Sequence, residues 1–303
     1  MRLRPRPVGL CFLMSLALSV AGGRSVCAQP LAAKDNGIKK NFERTAKYRP
    51  SVPALPGVAP GHPLSPVLQY ARQEQLYLQQ SVHDFTCRLV KRERIDGILQ
   101  DYQHIDMWVR EEIRGPDRVV SPLSIFLQFA GPANVAGRRV LYVDGQNDGK
   151  MLVRNGGKHF DYVVAQIDPH GRSAQQESLV PITETGFNHV LSHMIEILER
   201  HAQMDPSGEN TQVERLAGAK INSRPCNVVR IVHAKKKDGL EFHVANVFID
   251  EELHLPVRVD FSDWPKRANQ PAPLLAEYTY TELKLNVNLP DATFDPTRLR
   301  GNR

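Results

Sequence analysis

Hydrophobic and polar positions change period along this chain. Leu64, Leu68, Ala71, Leu78 and Val82 fall on one helical face, interrupted only at Gln75, while Arg72, Gln73 and Gln79 turn away. Ser65 and Pro66 open this helix, because a proline in the first turn gives up no intrahelical hydrogen bond. The same spacing returns at Phe187, Val190, Leu191, Met194, Leu198 and His201, which predicts a second helix opened by Thr183 or Thr185.

Everywhere else the period is two, as in strands half buried on one face. FTCRLVKRE, the Asp96-Gly97 turn and LQDYQHIDMWVREEI predict a hairpin, with Ile105, Met107 and Val109 alternating against His104, Asp106 and Trp108. SPLSIFLQF and RRVLYVDG flank a turn at Gly131-Pro132, VLYVDGQNDGKMLVRN reads as another hairpin, and KHFDYVVAQI as a further strand. Past the second helix come Gln212 to Leu216, Arg224 to Ala234 and Leu274 to Val287. The clearest hairpin runs from Glu241 to Asp263: Phe242, Val244 and Phe248 alternate with His243, Ala245 and Val247, Asp250 to Glu252 turn the chain, and Val257, Val259 and Phe261 alternate with Arg258 and Asp260. Pro256 then belongs at a strand start or an edge, since it has no N–H for a central ladder. About nine or ten antiparallel strands with two helices and no βαβ rhythm predict an α+β fold: a curved antiparallel sheet or half-open β-barrel covered by the two helices.

The first 28 residues alter the picture of compartment. MRLRPRPVGLCFLMSLALSVAGGRSVCA joins three arginines to an apolar run from Val8 to Ala21 and then to small residues, the layout of an export signal cleaved near Ala28 and too short to span a membrane comfortably. Residues 29–63, rich in Pro, Ala, Lys and Gly, read as a linker, leaving 64–303 as a single half-barrel domain. The cleaved protein is expected in the periplasm or outside the cell, with no transmembrane segment. Cleavage would remove Arg2, Arg4, Arg6 and Arg24 and no acid, so most of the formal charge of +6 leaves with the signal. The overall charge therefore gives no reason to expect a nucleic-acid partner. Cys11 and Cys27 leave as well, and the remaining pair, Cys87 and Cys226, is expected to form one disulfide in an oxidising compartment, with two buried thiols as the alternative.

Candidate chemistry is sparse. The run from Asp144 to Gly149 begins like a calcium loop, but Asn155 stands where the bidentate Glu belongs, and a hairpin turn explains it. His189 and His193 are spaced for one helical face, yet no HExxH pattern or third ligand accompanies them, so no metal and no cofactor is expected. The clusters at Lys91 to Arg94 and Lys235 to Lys237 read as solvated charges protecting strand edges. No nucleophile elbow, P-loop or dinucleotide fingerprint is present, so no catalytic residue is named. Paired carboxylates, Glu111 with Glu112 or Asp260 with Asp263, are what a hydrolase would use.

The runs DFTCRLVKRERIDG, LYVDGQNDGK, PITETGFNHVLSHMIE, RPCNVV, NVFIDEELHLPVRVDFSDWP and LLAEYTYTELKLNVNLPDATFD, in this order, resemble an uncharacterised family of exported proteins expanded in planctomycete bacteria. The resemblance covers about residues 65–295; the family tends to end on an aromatic-containing Asn-Pro segment, where this chain has Asp295-Pro296. More distantly, the strand–turn–strand of NVFIDEELHLPVRVDF and the closing LNVNLPDATFD are similar in shape to outer-membrane lipoprotein carriers and to periplasmic regulators that sense lipoproteins. That similarity implies a half-open barrel whose concave apolar face, lidded by helices, holds acyl chains.

Large side chains on both alternating sets of several strands point the same way, because two helices leave gaps over a broad sheet. A cavity is expected between sheet and helices, lined in part by Trp108, Phe126, Phe248, Tyr278 and Tyr280. The reading is an exported, non-enzymatic cell-envelope binding or carrier protein for an acyl chain, another lipid or a lipoprotein. A hydrolase, or an interaction module with a filled core, are the alternatives.

Overall fold

A computed structural model describes residues 58–156 and 163–300 of the chain. The expected export signal, the linker up to residue 57 and the first part of the expected strand at 158–167 lie outside the described residues.

The helices are α1 (Ser65–Ser81), a single turn α2 (Arg172–Gln175) and α3 (Phe187–Met204). The strands are β1 (Asp84–Ile95), β2 (Ile98–Leu99), β3 (Gln103–Arg110), β4 (Ile113–Arg114), β5 (Val119–Ser121), β6 (Ser124–Gly131), β7 (Arg139–Val143), β8 (Met151–Arg154), β9 (Val164–Ile167), β10 (Thr211–Ile221), β11 (Arg224–His233), β12 (Val244–Asp250), β13 (Pro256–Ser262) and β14 (Leu274–Leu285). The main sheet runs β10-β11-β12-β13-β14-β1-β3-β6-β7-β8-β9, with β2 paired to β1, and β4 and β5 form a separate ribbon. Every pairing is antiparallel, and β9 and β10 stay as free edges, so the sheet curls without closing.

Apart from the junction of β14 with β1, the path through the main sheet joins strands that are close in sequence. That junction brings the last strand against the first, from Phe85 opposite Leu285 to Glu93 opposite Ala276. One residue of β14 is extra in this ladder, where Glu282 takes φ 54. Because side chains alternate, the bulge lets Tyr278 and Tyr280 share a face with Leu283 and Leu285 across an otherwise forbidden change of parity. Gly218, at φ 84, plays the same part in β10, where a glycine meets no side-chain penalty. Pro256 stands at the first position of β13, where its missing N–H costs no ladder bond.

Two apolar layers cover the concave face. Over β11 to β13, Leu68 and Ala71 of α1 and Ile195 and Leu198 of α3 pack on Val229 and Val247. Over β14 and β1, Phe187 at the start of α3 packs on Tyr280 and Phe85, with ring centroids 5.1 and 4.6 Å away. On the convex face, the 3-10 turns Asp291–Phe294 and Pro296–Leu299 lay Phe294 and Leu299 over Phe126, Leu141 and Leu152.

Three expectations change. The N-cap of α3 is Gly186 rather than a threonine, and it offers no side-chain cap; the carboxylate of Glu111, just past β3, accepts the first N–H instead. Lys91 and Glu93 are buried in a central strand rather than solvated at an edge. The expected bond between Cys87 and Cys226 is not formed: both thiols are free and buried. Cys87 lies on the concave face with Phe85 and Leu89, whereas Cys226 and Val228 lie on the face opposite Val229 and Ile231. The two strands are also separated by β12, β13 and β14, beyond the reach of a disulfide.

Candidate ligand-binding cavity

Cross-strand register sorts the concave face into rows. Tyr280, Leu89, Ile105 and Phe129 form one row, and Cys87, Met107, Leu127, Val140, Val153 and Ala165 the next. A third row, nearer the end of β1, is Tyr278, Lys91 and Gln103. The helix layer does not extend over all of this surface, and a cavity of about 730 Å³ stays open between these rows and Val190, His193, Met194 and Ile197 of α3. That is within the range of small-molecule sites, and the wall is mainly aliphatic and aromatic.

A strap from Pro169 to Thr185, carrying α2 and the 3-10 turn Ile182–Glu184, covers the cavity. It is fastened by charge. The Lys91 ammonium donates to Glu93 at 2.8 Å and to Ser178 Oγ of the strap at 2.8 Å. Glu93 also accepts the Leu179 N–H at 3.3 Å and the Tyr278 hydroxyl at 2.7 Å. Further along, Arg138 donates to Glu177 at 2.9 Å and stacks over the Phe129 ring. Burial, and then the Glu93 charge, raise the Tyr278 phenol well above its ordinary pKa, so it stays a donor.

Of the expected lining residues, Tyr278 and Tyr280 are brought to the cavity. Trp108, Phe126 and Phe248 are not. Trp108 and Phe126 occupy the convex face, where the Arg298 guanidinium lies 4.9 and 4.1 Å from their ring centroids. Phe248 packs with Cys226, Val228 and Val257, beneath the Arg258 guanidinium at 5.6 Å. Each belongs to the strand parity opposite the cavity.

None of the four carboxylates considered for hydrolysis lines the cavity. Glu111 is fully buried against the start of α3, Glu112 pairs with Arg114 at 2.5 Å, Asp260 accepts from Asn246 at 2.7 Å, and Asp263 pairs with Lys236 at 3.2 Å. His193 faces Glu184 at 3.7 Å, and His189 keeps a buried Nδ1 without a partner among the described residues. Among those residues no group of three or more His, Cys, Asp or Glu side chains is placed to hold a metal, and no helix is long and apolar enough to cross a membrane.

Beyond the cavity, the C-terminal end of α3 is locked by a polar chain that alternation alone did not reveal. The Glu241 N–H donates to His201 Nε2 at 3.2 Å, which leaves the proton on Nδ1 to be donated to His233 Nε2 at 2.9 Å. His233 Nδ1–H then reaches Thr211 Oγ1 at 3.2 Å, and Thr211 donates to Asp205 at 2.7 Å. Burial pushes both imidazoles down to a pKa of about 4, so they remain neutral.

The fold is similar to several solved structures of low sequence identity. A DUF1329 family protein from Desulfovibrio piger is 16% identical, with 78% of this chain and 99% of that one covered, at a TM-score of 0.34. An outer membrane lipoprotein-sorting protein domain from Vibrio parahaemolyticus is 12% identical, with 77% and 98% covered, at 0.38. A LolA superfamily protein from Nitrosomonas europaea is 10% identical, with 75% and 98% covered, at 0.30. No curated protein matches the sequence. A family model does match, over residues 82–300, from the end of α1 to the last described residue, and the chain belongs to that family, described as protein of unknown function, DUF1571.

Proposed function

We propose that this protein binds the apolar chain of a lipid or lipidated partner in the cavity beneath the strap, and serves as an exported carrier rather than an enzyme. The observation that carries this reading is the open volume of about 730 Å³ between a wall of inward-facing aliphatic side chains and a strap held by polar contacts. A filled core would have closed that space, because protein interiors pack without voids of this size. The export signal expected over residues 1–28, cleavage near Ala28 and a single domain over 64–303 belong to the same reading. So does a periplasmic or extracellular location, where an apolar chain must be shielded from water while it moves.

The test is saturable binding of a neutral solvatochromic dye, such as Nile red, to the purified protein. Leu127, half buried on the cavity wall, gives the informative variant. Leu127→Trp puts a larger, rigid ring into the apolar wall and should weaken saturable binding several-fold, with little change in thermal stability. Equal dye binding by wild type and Leu127→Trp would overturn the reading.

A further inference from the structure

Positive charge gathers on the convex face, on the other side of the sheet from the cavity, and we propose that Arg139, Arg154 and Arg298 form a site for a dianionic phosphate group.

Register puts the first two together. Beside the convex row of Phe126, Leu141 and Leu152 runs another that reads Arg88, Asp106, Gln128, Arg139 and Arg154 from β1 to β8. In this row Arg88 is matched by Asp106, its cross-strand neighbour, at 2.8 Å. Arg139 instead has Gln128 on one side and Arg154 on the other, so two arginines stand directly opposite each other. Like charges in that relation destabilise a strand pair, and an acid in place of either would have been the ordinary arrangement.

The C-terminal turn supplies the third. The Arg298 guanidinium lies 4.1 Å from the ring centroid of Phe126 and 4.9 Å from that of Trp108, and donates to the Thr293 carbonyl at 3.0 Å. The carbonyl of Arg298 accepts from Arg139 Nη1 at 2.8 Å, which holds the edge of the turn against the row. Rings and backbone therefore position these two side chains, and neither has a carboxylate partner among the described residues. The acids of the turns are engaged elsewhere: Asp291 pairs with Arg110 at 2.7 Å, and Asp295 accepts the Thr297 N–H at 2.7 Å.

The electrostatics agree with this placement. Burial, and then the charge of Arg154, lower the Arg139 pKa below the ordinary guanidinium value; burial, and then Arg139, do the same to Arg298. An anion among them would relieve repulsion and restore favourable contacts to partly desolvated cations. All three arginines are half-buried, so each is fixed by its surroundings and still reached from solvent. A guanidinium offers five donors in a planar fork, of which the carbonyl bonds above occupy one on Arg139 and one on Arg298. A phosphate group carries about two negative charges near neutral pH and three acceptor oxygens, whereas a carboxylate brings one charge and two oxygens. Free phosphate and the head of phosphatidic acid share this chemistry.

The experiment titrates inorganic phosphate and acetate, at constant ionic strength, into wild type, Arg139→Gln, Arg139→Lys and Arg88→Gln, with binding read by calorimetry and folding by circular dichroism. A second arm measures cosedimentation with phosphatidylcholine vesicles with and without phosphatidic acid. Wild type should bind phosphate saturably and about ten-fold or more tighter than acetate, and Arg139→Gln should lose about ten-fold or more, as expected when a charge-assisted pair is removed. Arg139→Lys keeps the charge without the fork and should bind with intermediate affinity, which serves as the test if Arg139→Gln does not fold. Arg88→Gln, altered in the same row at a residue already paired, should bind as wild type does. Cosedimentation that needs phosphatidic acid and is lost with Arg139 assigns a lipid head; phosphate binding without cosedimentation assigns a soluble phosphate. No saturable binding in either arm, acetate binding as tightly as phosphate, or binding unchanged in both Arg139 variants would overturn the proposal. None of these outcomes bears on dye binding in the cavity, so the carrier reading stands or falls separately.

Discussion

Glu111 Oε1 accepts the backbone N–H of Phe187 at 2.6 Å, a contact that joins the end of β3 to the first turn of α3 across 76 residues of chain. Gly186 exists to allow it, since a Cβ there would lie 2.5 Å from the carboxylate. Burial raises the Glu111 pKa to about 7, and hydrogen bonds from Phe187 and Asn188 offset only part of that rise. A carboxyl whose folded pKa is raised binds more protons folded than unfolded, so its contribution is complete below about 4.5 and is lost as pH rises through about 7. Glu111→Gln keeps an acceptor and removes the titration. Urea denaturation across this range should show a stability that falls less with rising pH in the variant than in wild type, by up to about 3 kcal/mol at the alkaline end. Parallel pH profiles would refute the assignment.

The His201–His233 pair gives the opposite slope. Both imidazoles titrate near 4 when folded and near 6.5 when unfolded, so stability is present above about 6.5 and is lost as pH falls through about 4. The surrounding groups are His62, Arg200, Asp205, Lys237, Glu241 and His243, and of these the Asp205 carboxylate opposes the fall of the His233 pKa. His233→Phe should flatten the acid limb of the profile. At neutral pH it should cost about 2 kcal/mol, since it strips His201 Nδ1–H of its acceptor and takes the donor that Thr211 Oγ1 accepts from. A mutant profile as steep as that of wild type below neutrality would argue against this origin.

Lys91 and Glu93 form an ion pair in which both side chains are nearly inaccessible, at 9% and 3% exposure. Lys91→Met leaves Glu93 charged and buried, and should lower unfolding stability by about 3 kcal/mol or more. The double variant Lys91→Met, Glu93→Gln should recover a substantial part of that loss, because no charge is left uncompensated. Chemical denaturation of the two variants decides it: a double variant no more stable than Lys91→Met would show that burial of the charge is not the cause.

Cys87 and Cys226 should behave as inert thiols. Burial raises both pKa values, that of Cys226 to about 11, which suppresses the thiolate that reacts. In a chain that begins at Gln29, Ellman's reagent should find no fast-reacting thiol in the native state and both thiols once it is unfolded without reductant. Loss of both thiols in the unfolded, non-reduced sample would restore the disulfide.

The pattern of apolar spacing was enough for the helices at 65–81 and 187–204, for the hairpin around Asp250 and for an antiparallel α+β sheet, because each depends on neighbours close in sequence. Part of the site was legible too. Lys91 and Glu93 continue the odd-numbered face of Phe85, Cys87 and Leu89, and following that parity past Leu89 would have placed them inward; the run of charges from Lys91 to Arg94 obscured it. What the sequence could not decide was which face of a strand is concave. Trp108, Phe126 and Phe248 are as large and apolar as Tyr278 and Tyr280, and all five sit in strands of the expected period. Only the pairing of β14 with β1, the bulge at Glu282 and the packing of the C-terminal turns on the convex side set the two tyrosines toward the cavity and the other three away from it. Those are contacts between residues far apart in the chain, and alternation, being local, is the same whichever side of the sheet curls inward.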